Sequence, residues 1–119
     1  MPHTAFDPAL AEAQWSGMAD DTRRMILGIF AEECDELCGK ARAALADGDS
    51  GALARAAHTL RGAAANVGAL HLAAASEALE AAATTGSTDI LVELVERMTG
   101  AGEAVRAAIA TGEPYLDRG

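Results

Sequence analysis

The chain has 119 residues, half of them apolar but only 3% aromatic, and alanine supplies half of the apolar share. A core of alanine and leucine with almost no rings or β-branched runs points to packed helices in one domain, because alanine costs least to place in a helix. Nine basic against eighteen acidic residues leave a net charge of −9, which argues against nucleic-acid and lipid-surface binding, and the length excludes a large α/β enzyme fold or an ATP-binding domain beside a second domain.

Asp7 and Pro8 open a short leading helix to about Gln14, Asp7 as cap and Pro8 at the first helical position. A first long helix follows from about Asp20 to Ala46, with Ile26, Phe30, Cys34 (or Glu33), Leu37, Ala41 and Leu45 at the three- and four-residue spacing of a buried stripe. Gly48 stops it, and Asp49 or Ser50 caps a second helix from about Gly51 to Val67, ending near Gly68. A third runs from about Ala69 to Thr85 through Leu72, Ala75, Leu79 and Ala82, stopping at Gly86. Ser87 or Thr88 caps a fourth, through Ile90, Leu91, Leu94, Val95, Met98, Ala101, Val105 and Ile109 to about Thr111, before an irregular tail from Gly112. In this last helix Gly100 and Gly102 mark a kink, a close helix approach or simply tolerated glycines.

Short connections make consecutive helices antiparallel neighbours. The expected fold is all-α: an up-down antiparallel four-helix bundle over residues 20–111, with an N-terminal segment (1–19) carrying the short extra helix and an irregular tail (112–119). No basic region followed by an apolar stretch opens the chain, and the longest uncharged run, Gly62 to Ser76, falls short of the roughly 20 residues of a membrane span. Cys34 and Cys38 are neighbours on one helix that resists disulfide geometry, and two thiolates make an incomplete zinc site, so they read as small core or near-core residues of a reducing cytoplasm.

The informative stretch is Ala54 to Gly68. Leu53, Leu60 and Val67 are seven apart and must face the bundle interior. At about 100° per residue, His58 lies roughly 200° from Leu60 and 180° from Val67, so it projects away from the core. Ala54, Arg55, Arg61, Gly62, Ala65 and Ala69 fall within about 60° of it. An ordinary exposed face would carry Glu, Lys and Gln. This one carries an imidazole, two guanidiniums and very small side chains, with Gly62 opening space beside the ring where a partner's active site can close.

That arrangement suits covalent phosphoryl transfer. A neutral imidazole nitrogen attacks phosphorus in line and holds the group, and a fixed cation stabilises the charge on the equatorial oxygens. Arg61, one turn away, fills the second role, and Arg55 assists from the other flank. With no Gly-rich nucleotide loop in the sequence, the phosphoryl donor and its metal come from another protein.

The run Ala57-His58-Thr59-Leu60-Arg61-Gly62-Ala63-Ala64-Ala65-Asn66-Val67-Gly68-Ala69 closely resembles the signature of histidine-containing phosphotransfer (HPt) domains, roughly A-H-x-L-K-G-x-x-x-x-x-G. The acidic helix with Phe30, the Gly48-Asp49 turn, and Leu72 through Leu79-Glu80 fit it as well, over about residues 20–110. The resemblance implies a phosphorelay intermediate without kinase activity of its own. Its exposed histidine accepts a phosphoryl group from a receiver-domain aspartate and passes it to another receiver. It implies that His58 is the phosphoacceptor, Arg61 the phosphoryl-stabilising cation and Gly62 the clearance residue, with Gly68 structural. The implied partners are response-regulator receivers and a hybrid histidine kinase, in the cytoplasm, with a monomeric carrier. The carrier needs no cofactor, since Mg2+ belongs to the receiver. Docking would use apolar surface beside the histidine, with Ala54, Arg55, Ala65, Leu27 and Met18 as candidates.

Arg61 stands where the family more often has lysine, and Ala63 and Ala64 stand where members often place a serine, which puts fine positioning in question rather than the acceptor role. His71 reads as a surface or partly packed residue, His3 as part of a frayed end, and Trp15 and Tyr115 as end-capping hydrophobes. The alternative is a non-catalytic helical module that docks on a receiver or histidine kinase without being phosphorylated. A third reading is the isolated acceptor domain of a chemotaxis-type kinase.

Overall fold

A computed structural model describes residues 5–7 and 17–112, and within them every regular element is helical. Four helices follow in chain order: α1 Asp20–Asp47, α2 Ser50–Asn66, α3 Leu70–Ala82 and α4 Thr88–Thr111. Each packs on its chain neighbours, and α4 closes the ring against α1. This is an all-α bundle whose short connections reverse the chain at every step. The expected leading helix beyond Pro8, His3, Trp15 and the tail after Gly112 lie outside the described residues.

Asp20 and Asp21 place negative charge in the first turn of α1, where the helix dipole favours it. Its buried stripe is Leu27, Phe30, Cys34, Leu37, Cys38, Ala41 and Ala44. The expected end members Ile26 and Leu45 are only partly buried, because α1 is wedged between two neighbours and its covered face is broader than a single 3–4 line, with its own margins. Gly48, at φ 70°, closes the helix by donating to the Ala44 and Leu45 carbonyls. Asp49 caps α2, accepting the Ala52 N–H at 3.0 Å.

Leu53, Ala56, Ala57, Leu60 and Ala64 form the buried side of α2. Past its end Gly68 adopts φ 81°, and its carbonyl accepts the Asp7 N–H at 2.9 Å. That bond ties the N-terminal segment, with buried Phe6, across this end of the bundle. Asp7 thus meets the α2–α3 turn through its backbone.

The third helix stops at Ala82, three residues before the expected Thr85. The Thr85 and Gly86 N–H groups fold back on the Ala82 carbonyl, and a Cβ on Gly86 would lie 2.9 Å from that oxygen. Reversing the chain into α4 therefore consumes the last expected turn. Ser87 caps α4 through Ile90 N–H at 3.3 Å.

Gly102 resolves the open reading of the α4 glycines. It is buried, and a Cβ there would sit 3.0 Å from Cys34 Sγ and 3.3 Å from Cys38 Sγ, whereas Gly100 is exposed with open space around it. Gly102 is the close-approach residue between α1 and α4, and both cysteines are free and buried. Gly102→Val should destabilise the fold by about 1–3 kcal/mol through overpacking, while Gly100→Ala should be neutral or stabilise it by up to about 1 kcal/mol. Urea unfolding of the two variants checks this contrast. Among the described residues no helix is long and apolar enough to cross a membrane.

Candidate functional site

Burying Leu53, Ala57, Leu60 and Ala64 turns the opposite side of α2 to solvent, and the His58 side chain is 62% exposed. Gly62, one turn on, is exposed, and nothing lies within 4 Å of the point where its Cβ would be. Because α3 runs antiparallel beside α2, Glu80 near its C-terminal end comes level with His58 and Arg61. Glu80 Oε2 lies 2.8 Å from His58 Nδ1, and Arg61 Nε–H donates to Glu80 Oε1 at 2.9 Å. Arg61 Nη2 is also 3.2 Å from His58 Nδ1.

These three distances select a proton arrangement. The hydrogen bond from His58, followed by the bond and charge of Arg61, holds the Glu80 carboxyl below the usual carboxylate range. An ionised carboxylate only accepts, so the 2.8 Å contact requires the proton on Nδ1. The Arg61 Nη2 contact then joins two donors and is proximity, not a second hydrogen bond. In the neutral imidazole the lone pair is then on Nε2. Since the lowered pKa keeps the carboxyl ionised, Glu80 remains an acceptor through the ordinary carboxylate range and ceases to be one as pH falls through the lowered value.

Of the other residues singled out in the sequence, Ala65 and Arg55 are exposed and Ala54 is partly buried beside His58. Arg55 does not flank the imidazole: its Nη1 lies 3.4 Å from the Cβ position of Gly51, toward the start of α2. Ala69 leaves the histidine face altogether and is fully buried, because Gly68 breaks the helical phase. Leu27 is likewise fully buried in the core and has no surface to offer a partner. The exposed apolar residues of that part of α1 are Met25 (62%) and Ile29 (60%). Met18 is partly buried, and its carbonyl accepts from Arg23 Nη2. His71 is exposed at the start of α3. Among the described residues no three His, Cys, Asp or Glu side chains converge as a metal ion would require.

Glu80 is the member of the site that α2 alone does not reveal. Its sequence signals are the fit of Leu79-Glu80 to the family resemblance and a charge in a helix built mostly from alanine and leucine, one turn after Glu77.

The family model for the Hpt domain matches residues 25–110. The chain belongs to the Hpt family. Its role is therefore histidine phosphotransfer in phosphorelays, a family function exercised with receiver domains and kinases. Among solved structures, this Hpt protein is similar to histidine-containing phosphotransfer protein B (HptB) from Pseudomonas aeruginosa PAO1, at 26% identity and a TM-score of 0.85 over 98% of this chain and 100% of that one. No curated protein sequence matches it.

Proposed function

We propose that this Hpt protein is a phosphorelay intermediate that takes a phosphoryl group onto His58 from a receiver-domain aspartyl phosphate and delivers it to a second receiver. The observation that carries this reading is the outward imidazole, 62% exposed, with its Nδ1 turned to Glu80. In the forward step the Nε2 lone pair attacks phosphorus, the N–P bond forms, and the P–O bond to the aspartyl carboxylate breaks. The carboxylate leaves with that electron pair, and the Nδ1 proton stays facing Glu80. Delivery to the next receiver is the same step in reverse.

Arg61 supplies fixed positive charge for the phosphoryl oxygens, which carry the developing charge of the loose transition state. Gly62 leaves room for the receiver's active-site rim. Magnesium belongs to the receiver, and a hybrid histidine kinase upstream charges that receiver. Docking draws on Ala54 and Ala65 around the histidine, on Arg55 toward the start of α2, and on Met18. Met25 and Ile29 replace Leu27 as its apolar contribution from α1. The protein works as a cytoplasmic monomer.

Incubation with a phosphorylated receiver and magnesium should move label onto this protein in an acid-labile, base-stable form, with matching loss from the receiver. ATP and magnesium alone should give no label. Failure to acquire label from every phosphorylated receiver in a panel from the same organism overturns the proposal.

A further inference from the structure

We propose that Cys38 is a modification site for hydrogen peroxide and similarly small peroxides, oxidised to a sulfenic acid that does not close a disulfide with Cys34. The site lies at the α1–α4 contact, so the inference stands apart from the reading of His58. Gly102 lets the two helices approach there, and a Cβ on it would sit 3.0 Å from Cys34 Sγ and 3.3 Å from Cys38 Sγ. The two thiols are unequal. Cys34 is fully buried, whereas Cys38, 5% exposed, lines a cavity of about 180 Å³ between the helices.

The walls of that cavity are charged. Arg42 stands one turn beyond Cys38 on α1, Arg106 stands one turn beyond Gly102 on α4, and both line the cavity. Because α1 and α4 are antiparallel, the two guanidiniums bracket the thiol from opposite ends. Asp35 holds Arg106 in place, its Oδ1 accepting from Nη1 at 3.0 Å, and Glu103 is the other anion of the lining. The S–H that Cys34 donates to Cys38, followed by the two arginines, favours the Cys38 thiolate against the opposing effects of burial and Asp35. Cys34 keeps its proton, because it is the donor of that bond and the deeper of the two.

The thiolate is the reactive form. It attacks one peroxide oxygen, so that an S–O bond forms and the O–O bond breaks. The second oxygen leaves with the bonding pair as hydroxide and takes up a proton as water; sulfur loses two electrons and the peroxide gains them. Fixed guanidinium charge stabilises the departing hydroxide. The new oxygen must point into the cavity, because Gly102 closes the other side. Condensation with Cys34 needs Cβ atoms within about 4.5 Å, whereas residues four apart on a helix hold theirs about 5–6 Å apart. The sulfenic acid is therefore the end point while α1 stays helical.

The test treats the full chain with dilute hydrogen peroxide and stops the reaction by unfolding it in dimedone, which tags sulfenic acid. Peptide mapping should place one tag on Cys38 and none on Cys34, appearing before exposed Met25 gains oxygen. The variant carrying both Arg42→Gln and Arg106→Gln, two changes at the cavity rim, should acquire the tag roughly tenfold more slowly as the thiolate fraction drops. A maleimide carried on a long polyethylene glycol, too large for the cavity, should leave the folded parent unlabelled over the same period. Equal tagging of both cysteines, or maleimide labelling as fast as oxidation, would show that peroxide enters through unfolding and overturns the proposal. So does a Cys34–Cys38 disulfide as the product, a parental rate in the double arginine variant, or Cys38 reacting no faster than Met25.

Discussion

His58→Gln should reduce label acquired from a phosphorylated receiver to background while leaving the folded protein intact. The two halves of this expectation have separate causes. Glutamine has no lone pair able to form a stable N–P bond, so the covalent route is closed rather than slowed. The His58 side chain is 62% exposed on the side of the helix away from Leu53 and Leu60, so its replacement removes little buried area, and surface changes of this kind stay within about 0.5 kcal/mol. Arg61 also keeps its bond to Glu80, so the carboxylate does not lose its charged partner. Label retained on the variant at the parental level would remove His58 as acceptor. The comparison also separates the carrier from a docking module, for which partner affinity and cellular output would survive the substitution unchanged.

Gly62→Leu should separate stability from transfer in opposite directions. Glycine inside a helix costs about 1 kcal/mol relative to a good helix former, and leucine is nearly as good as alanine. Nothing in the free protein opposes a side chain at this point, since no atom lies within 4 Å of the added Cβ. The folded state should therefore gain up to about 1 kcal/mol, read as a higher urea midpoint. The same leucine, one turn from His58, occupies the space a receiver must enter, and transfer should slow at least roughly tenfold because the reacting atoms cannot approach to attack distance. Normal transfer by a stabilised Gly62→Leu protein would show that clearance is not the function of this glycine.

Legibility in the sequence followed the range of the interactions. Helix limits were readable wherever a local device sets them: Gly48 in the left-handed conformation, Asp49 over Ala52, Ser87 over Ile90. They failed at the end of α3, where the chain must reverse and the Ala82 carbonyl takes the Gly86 N–H at 2.7 Å. The buried stripe of α1 was readable in its middle and displaced at its ends. The exchange of Ile26 for Leu27 is a rotation of one position that no periodicity count distinguishes, because the width of a buried face depends on how many neighbours cover it. That rotation also explains why Leu27 was misread as a docking residue while Met25 and Ile29 carry the exposed surface.

What the sequence determined by itself was everything that depends on one helix: the phase of α2, hence His58 facing away from Leu53 and Leu60, with Arg61 and Gly62 one turn on. Those relations follow from a fixed rotation per residue and survive any arrangement of the bundle. Only the tertiary structure decided what stands opposite. Glu80 reaches His58 Nδ1 and Arg61 Nε because α2 and α3 pack in one particular register, and Gly102 meets Cys34 and Cys38 because α1 and α4 do likewise. Register between helices is set by the summed packing of many small side chains, alanine above all, and no single residue announces it.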